Sequence, residues 1–363
     1  MTASIYRPLL AIALAAASLA SHAAGVVNVY NWTDYVADST NANFSRATGI
    51  KVRYDVFDSN EILRAKLMTG KSGYDVVVPS HNTLALGIRG GLFLPLDKAK
   101  LPNLKYLDPA ILKIVEQFDP GQRYGVPNYW GFNTVGINVD KVNKALGGKL
   151  PANPWDLIFK PEYAAKLQGC GISVLDSPSE FFPGALHYFG FDPNSNKLTD
   201  YQAVADKLKA VRPYYKVFSS SGYYNQMASG DLCVAMGYNG DFNLARQRAE
   251  EARNGVKIQA LIPPGVDLWV DMWAIPRDAA NVDNAHAYIN AMLEPKTAAA
   301  NANHVAYATA VLAARPYMKP ALVNNRTIFP QAADLQGSFV SLTQDAKTIS
   351  GYTRIWQKLR SGR

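Results

Sequence analysis

Apolar and polar positions along this chain fall into short blocks whose period switches between two and about 3.6. Val26–Tyr30 is β-branched and reads as a strand leading into Asn31–Tyr35. Thr40–Thr48 has a helical pattern that Gly49 stops. Ile50–Phe57 is a second strand, with Lys51, Arg53 and Asp55 alternating against apolar neighbours. Asn60–Thr69 is a helix closed by Gly70, and Tyr74–Val78 is a continuous apolar strand ended by Pro79 and Ser80. Continuous apolar strands separated by helices predict a parallel sheet covered on both faces. Ligands of such sheets bind at the carboxyl ends of strands, where Asn31–Tyr35 and Pro79–Ser80 fall.

Further along, Tyr124–Tyr129 and Phe132–Val139 read as two extended segments that carry the chain into another lobe. Pro151–Leu157 is a loop feeding a helix, Gly171–Leu175 is a strand, and a helix runs from Asp176 to Phe189. Tyr201–Val211 is helical, Leu232–Gly237 is a strand, and Asn239–Asp241 turns into the helix Asp241–Arg253. Val256–Ile262 and Leu268–Ile275 are strands. Helices then occupy Asn284–Leu293 and part of Thr297–His304, and the C-terminal section containing Gln344–Arg360 is mostly helical. The fold class is α/β. A length of 363 residues exceeds the roughly 100–200 usual for one domain, so two lobes are expected.

The first 24 residues change the picture of location. Arg7 precedes the apolar stretch Leu9–Ala20, and small residues lead to a cut after Ala23 or Ala24. That is the pattern of a secretory signal peptide, its apolar core being too short to span a membrane. The expected destination is the periplasm. Formal charge is +8, or +7 once Arg7 leaves. The 37 basic residues are scattered, with no run of four or more, which argues against nucleic acid as a partner. Cys170 and Cys233, the two cysteines, read as one disulfide in an oxidising compartment, with two buried free thiols as the alternative.

Catalytic signatures are missing. The chain has no GxGxxG, GxxxxGK[ST], GxSxG or HExxH, and His22, His81, His187, His286 and His304 are dispersed. Tyr214–Tyr215 and Tyr223–Tyr224 suggest phenolate ligands for ferric iron, but no nearby His completes a site. The plain alternative is a strand or loop with one ring buried and one exposed. A better constellation lies at predicted strand ends, where Trp32, Tyr35, Tyr238, Trp269 and Tyr307 are aromatic and Asp34, Glu180, Asp241 and Asp271 acidic. Glu180 and Asp241 also suit the first turn of a helix. Asp271 lies inside an apolar strand, where an isolated carboxylate is costly without a partner. Four acids with aromatic rings suit a flexible organic cation.

At these residues the chain resembles the periplasmic polyamine-binding proteins that feed putrescine/spermidine ABC importers. The stretches that carry the resemblance are YNWTDY (30–35), TGIKVRYDVFDSNE (48–61), GYDVVVPS (73–80), LDKAKLPNLKYLDP (96–109), GINVDKV (136–142), KLQGCGISVLDSP (166–178), GDLCVAMGYNGD (230–241) and HVAYA (304–308). The likeness runs from about Val26 to the C-terminus. It implies a two-lobed periplasmic-binding-protein fold with a hinge and an interlobe ligand cleft. One lobe would comprise 25–134 plus about 263–312, the other 135–262 plus about 313–363. The resemblance implies that Trp32, Thr33, Asp34, Tyr35 and Ser80 form the first-lobe site. Glu180, Asp241 and Asp271 match the family's acids, and Tyr307 its far aromatic. It also implies a Cys170–Cys233 pair, an inner-membrane ABC permease as partner, a monomer and no cofactor. Tyr238 and Trp269, standing where putrescine-preferring members often have Trp and Phe, lean towards spermidine. His81 and Ser219–Tyr224 depart from the common pattern. Two alternatives stand beside this: a binding protein of the same fold for another amine or ω-amino acid, and a polyamine sensor acting on a receptor.

Overall fold

The computed structural model describes residues 25–362, and the expected signal peptide, residues 1–24, lies outside them. Eleven strands form among the described residues: β1 Val26–Trp32, β2 Lys51–Phe57, β3 Val76–Val77, β4 Gly125–Asn138, β5 Ile172–Val174, β6 Tyr215–Phe218, β7 Val234–Tyr238, β8 Ile258–Ala260, β9 Asp267–Ala274, β10 Ala308–Thr309 and β11 Phe339–Val340. Their order is β2-β1-β3-β9-β4-β7-β5-β6, with β8 and β10 added on β4 and β11 on β9. Helices between them cover the faces.

The expected all-parallel arrangement holds at the two ends and in the short β11–β9 pair, but not through the centre. β1 pairs in parallel with β2 and β3, and β5 with β6 and β7, whereas β9 is antiparallel to β3 and β4, and β4 to β7. The physical reason is β4. It is one strand of 14 residues, buried at every position but Trp130, where the sequence suggested two segments. Its register with β9 shifts between Pro127 and Trp130, a bulge that bends the strand and re-aims its side chains.

That bend is where one hydrophobic core gives way to another. Tyr129 and Val126 on its near side belong to a core with Val27, Val76, Leu84, Trp273 and Tyr288. Phe132, Val135 and Ile137 on its far side join a second core with Trp155, Phe181, Met236 and Phe242. β9 returns the chain to the first core, which then takes in residues as far as Met318. The chain crosses a third time beside β11, and Tyr352, Trp356 and Leu359 of the last helix, Ala346–Ser361, pack in the second core. Each body therefore closes on chain from both ends of the sequence. The result is two lobes joined by three crossings and separated by a cleft. No described helix is long and apolar enough to cross a membrane.

Cys170 and Cys233 form a disulfide with Cα atoms 5.4 Å apart, joining the chain before β5 to the start of β7 inside the second lobe. The span it closes is 63 residues. Removing such a loop restraint is expected to lower stability by about 4 kcal/mol through the unfolded state. Urea unfolding of the Cys170→Ser/Cys233→Ser variant checks this; an unchanged midpoint would assign the bond no role in stability.

Candidate functional site

All eleven site residues expected from the sequence (Trp32, Thr33, Asp34, Tyr35, Ser80, Glu180, Tyr238, Asp241, Trp269, Asp271 and Tyr307) line one cleft between the lobes. Phe57, Asp58, Ser220, Ser221, Tyr224, Leu244 and Val305 complete its wall. No Lys or Arg lines it among the described residues.

Local backbone explains how the rings reach the cleft. Trp32 ends β1 and fixes its indole by donating to the Val78 carbonyl at 2.8 Å. Trp269 and Asp271 lie two residues apart on β9 and so share a face. The Trp269 ring lies against Gly131 of β4, where any Cβ would collide with it. Tyr307 is aimed by its neighbour: Ala306 takes a left-handed φ of 60° as it caps the helix Pro295–Val305. The cost of that conformation in a non-glycine residue is on the order of 1 kcal/mol. The ring then rests on Gly240, at the start of the helix Asn239–Ala252, where a Cβ would overlap it. Tyr35, Tyr307 and Trp269 stand in sequence, with centroids 6.0 and 5.2 Å apart, and Tyr238 closes the far side at 6.0 Å from Trp269.

The acids are held just as specifically. Asp271, 3% exposed, accepts from Ser80 Oγ at 2.6 Å and from the Tyr35 hydroxyl. Asp241, in the first turn of its helix, accepts from the Tyr307 hydroxyl. Glu180, 7% exposed and in the first turn of the helix Pro178–Tyr188, accepts from Asn133 Nδ2 at 3.2 Å and Asn60 Nδ2 at 3.4 Å. Helix N-termini favour the charged forms of Glu180 and Asp241. Loss of hydration outweighs that: burial pushes Asp241 and Asp271 up to about 6 and Glu180 up to about 7. Three carboxyls of the cleft are thus short of positive partners. Asp34 differs. It sits at the mouth with φ 59° and a side chain 45% exposed, paired with Arg248 at 3.1 Å.

Several cleft residues left no signal in the sequence. Asn60 joins the lobes: its Oδ1 accepts from the Ser80 amide at 3.2 Å while its Nδ2 reaches Glu180. Asp58 in the wall left none either, nor did Asn133 and Arg248 outside the wall, which contact Glu180 and Asp34. Tyr223 and Tyr224, suggested as iron ligands or a half-exposed pair, both lie buried on the helix Tyr223–Ser229. The Tyr223 hydroxyl accepts from the Tyr238 amide at 2.8 Å, and Tyr224 donates to Asp34 at 3.3 Å. His81 points away from the cleft. Its Nε2 donates to the Ser341 carbonyl at 2.7 Å, and burial lowers its pKa to about 4.

Comparison with known proteins places this geometry among relatives. The family described as bacterial extracellular solute-binding protein matches residues 40–331. The chain is 45% identical to the putrescine-binding periplasmic protein PotF of Escherichia coli, over 98% of this chain and 97% of that protein. It is 43% identical to the putrescine-binding periplasmic protein SpuD of Pseudomonas aeruginosa, over 93% and 92%. A spermidine/putrescine-binding periplasmic protein of Salmonella typhimurium is 34% identical over 97% of each chain. Among solved structures, a putative spermidine/putrescine ABC transporter from Listeria monocytogenes superposes with a TM-score of 0.83 at 31% identity, over 93% of this chain and 99% of that one.

The raised carboxyls set a sign for pH dependence. Glu180 holds its proton in the folded ligand-free protein up to about pH 7 and releases it near its ordinary value of about 4.3 when unfolded. Between those limits the native state binds more protons, so this residue's contribution falls as pH rises through the window. Ligand-free Glu180→Gln should therefore gain stability over the parent from pH 5 to pH 8, by up to about 3 kcal/mol. Melting both proteins at the two pH values tests this; an equal difference at each would mean that Glu180 does not titrate there.

Proposed function

Because the chain belongs to the family of bacterial extracellular solute-binding proteins, we propose that it captures a polyamine in the periplasm and presents it to the permease of an ABC importer. It is a binding protein of the periplasm and not an enzyme. The observation that carries the ligand assignment is a set of three desolvated carboxyls, at Asp241, Asp271 and Glu180, in an aromatic cleft with no basic side chain among the described residues of its wall.

Each ammonium group of a polyamine supplies the positive partner that a buried carboxylate lacks, and the charge-assisted hydrogen bonds replace hydration on both sides. Trp32, Tyr35, Tyr238, Trp269 and Tyr307 enclose the methylene spacers and add cation–π attraction to their charged ends. Tyr35, Ser80 and Tyr307 already donate to the carboxylates and so fix where each ammonium is received. Lobe closure about the three crossings buries the ligand, and the permease reads the closed form. An ω-amino acid would need a cation for its own carboxylate, and Arg248 at the mouth is engaged with Asp34.

Spermidine is weighted over putrescine. Three interior carboxyls match three amines, and the Trp269 indole offers a longer stacking face than a phenyl ring. Putrescine is the rival ligand, since the relatives at 45% and 43% identity carry it in their names.

Calorimetric titration of ligand-stripped protein with spermidine, putrescine and γ-aminobutyrate tests the assignment. Both polyamines should bind, and γ-aminobutyrate alone binding would overturn it. Asp241→Asn and Asp271→Asn should each weaken spermidine binding by about thirtyfold or more, the cost of leaving a buried ammonium unpaired. Lys51→Gln, on the exposed face of β2, should leave binding unchanged. Trp269→Phe should move the spermidine/putrescine affinity ratio towards putrescine; a constant ratio removes Trp269 from the selection.

A further inference from the structure

The third crossing between the lobes is bonded to both of them by alternate residues. Asn194 of the second lobe donates to the Val340 carbonyl at 3.1 Å and accepts from the Leu342 amide at 2.6 Å. Ser341, buried between them, is held from elsewhere. Its amide donates to Asp267 Oδ1 at 3.0 Å, and its carbonyl accepts from His81 Nε2 at 2.7 Å. His81 is the buried first residue of the helix His81–Arg89 in the first lobe. A carbonyl only accepts, so Nε2 carries the proton and Nδ1 is left to accept from the Val270 amide at 3.5 Å. Both ring nitrogens are thus engaged by backbone, one by the crossing and one by β9. The preceding residue is the one that orients a ligand carboxylate. Ser80 stands at the N-cap of the same helix, yet its hydroxyl bonds to none of the helix amides. It donates to Asp271 Oδ1 at 2.6 Å instead, forgoing a cap whose usual worth is about 1 kcal/mol. Asn60 holds the Ser80 amide, and the His81 ring holds the next residue to the crossing.

We propose that His81 is a positioning residue for ligand binding: its bond to Ser341 ties the third crossing to the turn that carries Ser80, so the place of the crossing and the orientation of the Asp271 carboxyl are set together. The proposal rests on the polyamine reading of the cleft and extends it to the hinge. Closure turns the second lobe on its crossings. A shift of Ser341 is felt by the His81 ring, and through it by the first turn of the helix and the Ser80 hydroxyl. The coupling is reciprocal. An ammonium held at Asp271 keeps Ser80, His81 and Ser341 in their places, and so opposes reopening of the lobes.

Calorimetric and stopped-flow titration with spermidine tests this on the mature protein, His81→Leu, His81→Gln, Ser80→Ala and the His81→Leu/Ser80→Ala double variant. Leucine fills much of the ring's volume without its donor, whereas a glutamine amide replaces the Nε2–H group. His81→Leu should weaken spermidine binding about tenfold, mostly through faster release. His81→Gln should restore the affinity to within about threefold of the parent, and in the Ser80→Ala background the leucine change should cost less than about threefold, because its effect passes through Ser80. Undiminished affinity in His81→Leu overturns the proposal. So does a glutamine variant as weak as the leucine one, since packing of the ring would then be the cause. Losses that add in the double variant overturn it as well. If His81→Leu does not fold, His81→Asn, whose shorter side chain falls short of Ser341, takes its place in the comparison with His81→Gln. Spermidine binding by the parent separates these results from failure of the polyamine reading, in which no polyamine binds the parent at all.

Discussion

A carboxylate on a buried strand is the constraint to which the rest of the structure responds. Asp271 lies in β9 with buried residues before and after it, and among the described residues no Lys or Arg bonds to it. Its charge is tolerated because Ser80 and Tyr35 donate to its two oxygens, yet burial still lifts its pKa to about 6. Folding alone therefore leaves the interior short of positive charge, a deficit that hydrogen bonds reduce without cancelling. A multivalent cation is the complement to such an interior. Aromatic rings flank the buried carboxyls, and contacts made to those carboxyls count for more at the lower dielectric of a buried site.

The same constraint explains why the site is assembled from two bodies. Ser80, Tyr35 and Asp271 belong to one lobe, Glu180, Asp241 and Tyr238 to the other, and Tyr307 of the first donates to Asp241 of the second. Neither half has enough partners to satisfy a polycation. Asn60 holds Ser80 and Glu180 together across the gap, and Glu61 beside it accepts from Ser177 and Ser179 of the opposite lobe at 3.3 and 3.0 Å. Surface charge of the opposite sign is compatible with this chemistry. Net charge acts at long range and is screened over about 8 Å at physiological ionic strength, whereas the carboxylates act at contact.

Much of this was legible in the sequence where structure is local. Periodicity defined β1, β2 and the helices Thr40–Thr48 and Asn60–Met68 to within a residue or two. The acids at helix starts and in β9 stood out because their placement conflicts with burial unless something answers them. Long-range geometry was not legible. β4 looked like two segments because Trp130 and Gly131 interrupt its apolar run. The antiparallel centre of the sheet depends on pairings between β4 and β9 that no local pattern encodes. Helix Tyr223–Ser229 was missed because two adjacent tyrosines suggested a strand or a metal ligand. Asn60 and Arg248 are ordinary helix residues until chain 120 and 214 positions away is folded against them.

The three crossings between lobes also govern when this chain can fold. The first core needs Trp273 and Tyr288 against Val27 and Val76, and the second needs Tyr352 and Trp356 against Phe181 and Phe182. No lobe is complete in any N-terminal fragment that stops before the last third of the sequence. Loop closure over such separations is slow, because its entropy is lost before any contact rewards it. A nascent chain with this topology stays threadable until nearly all of it has been made, which is the state that passage across a membrane requires of it.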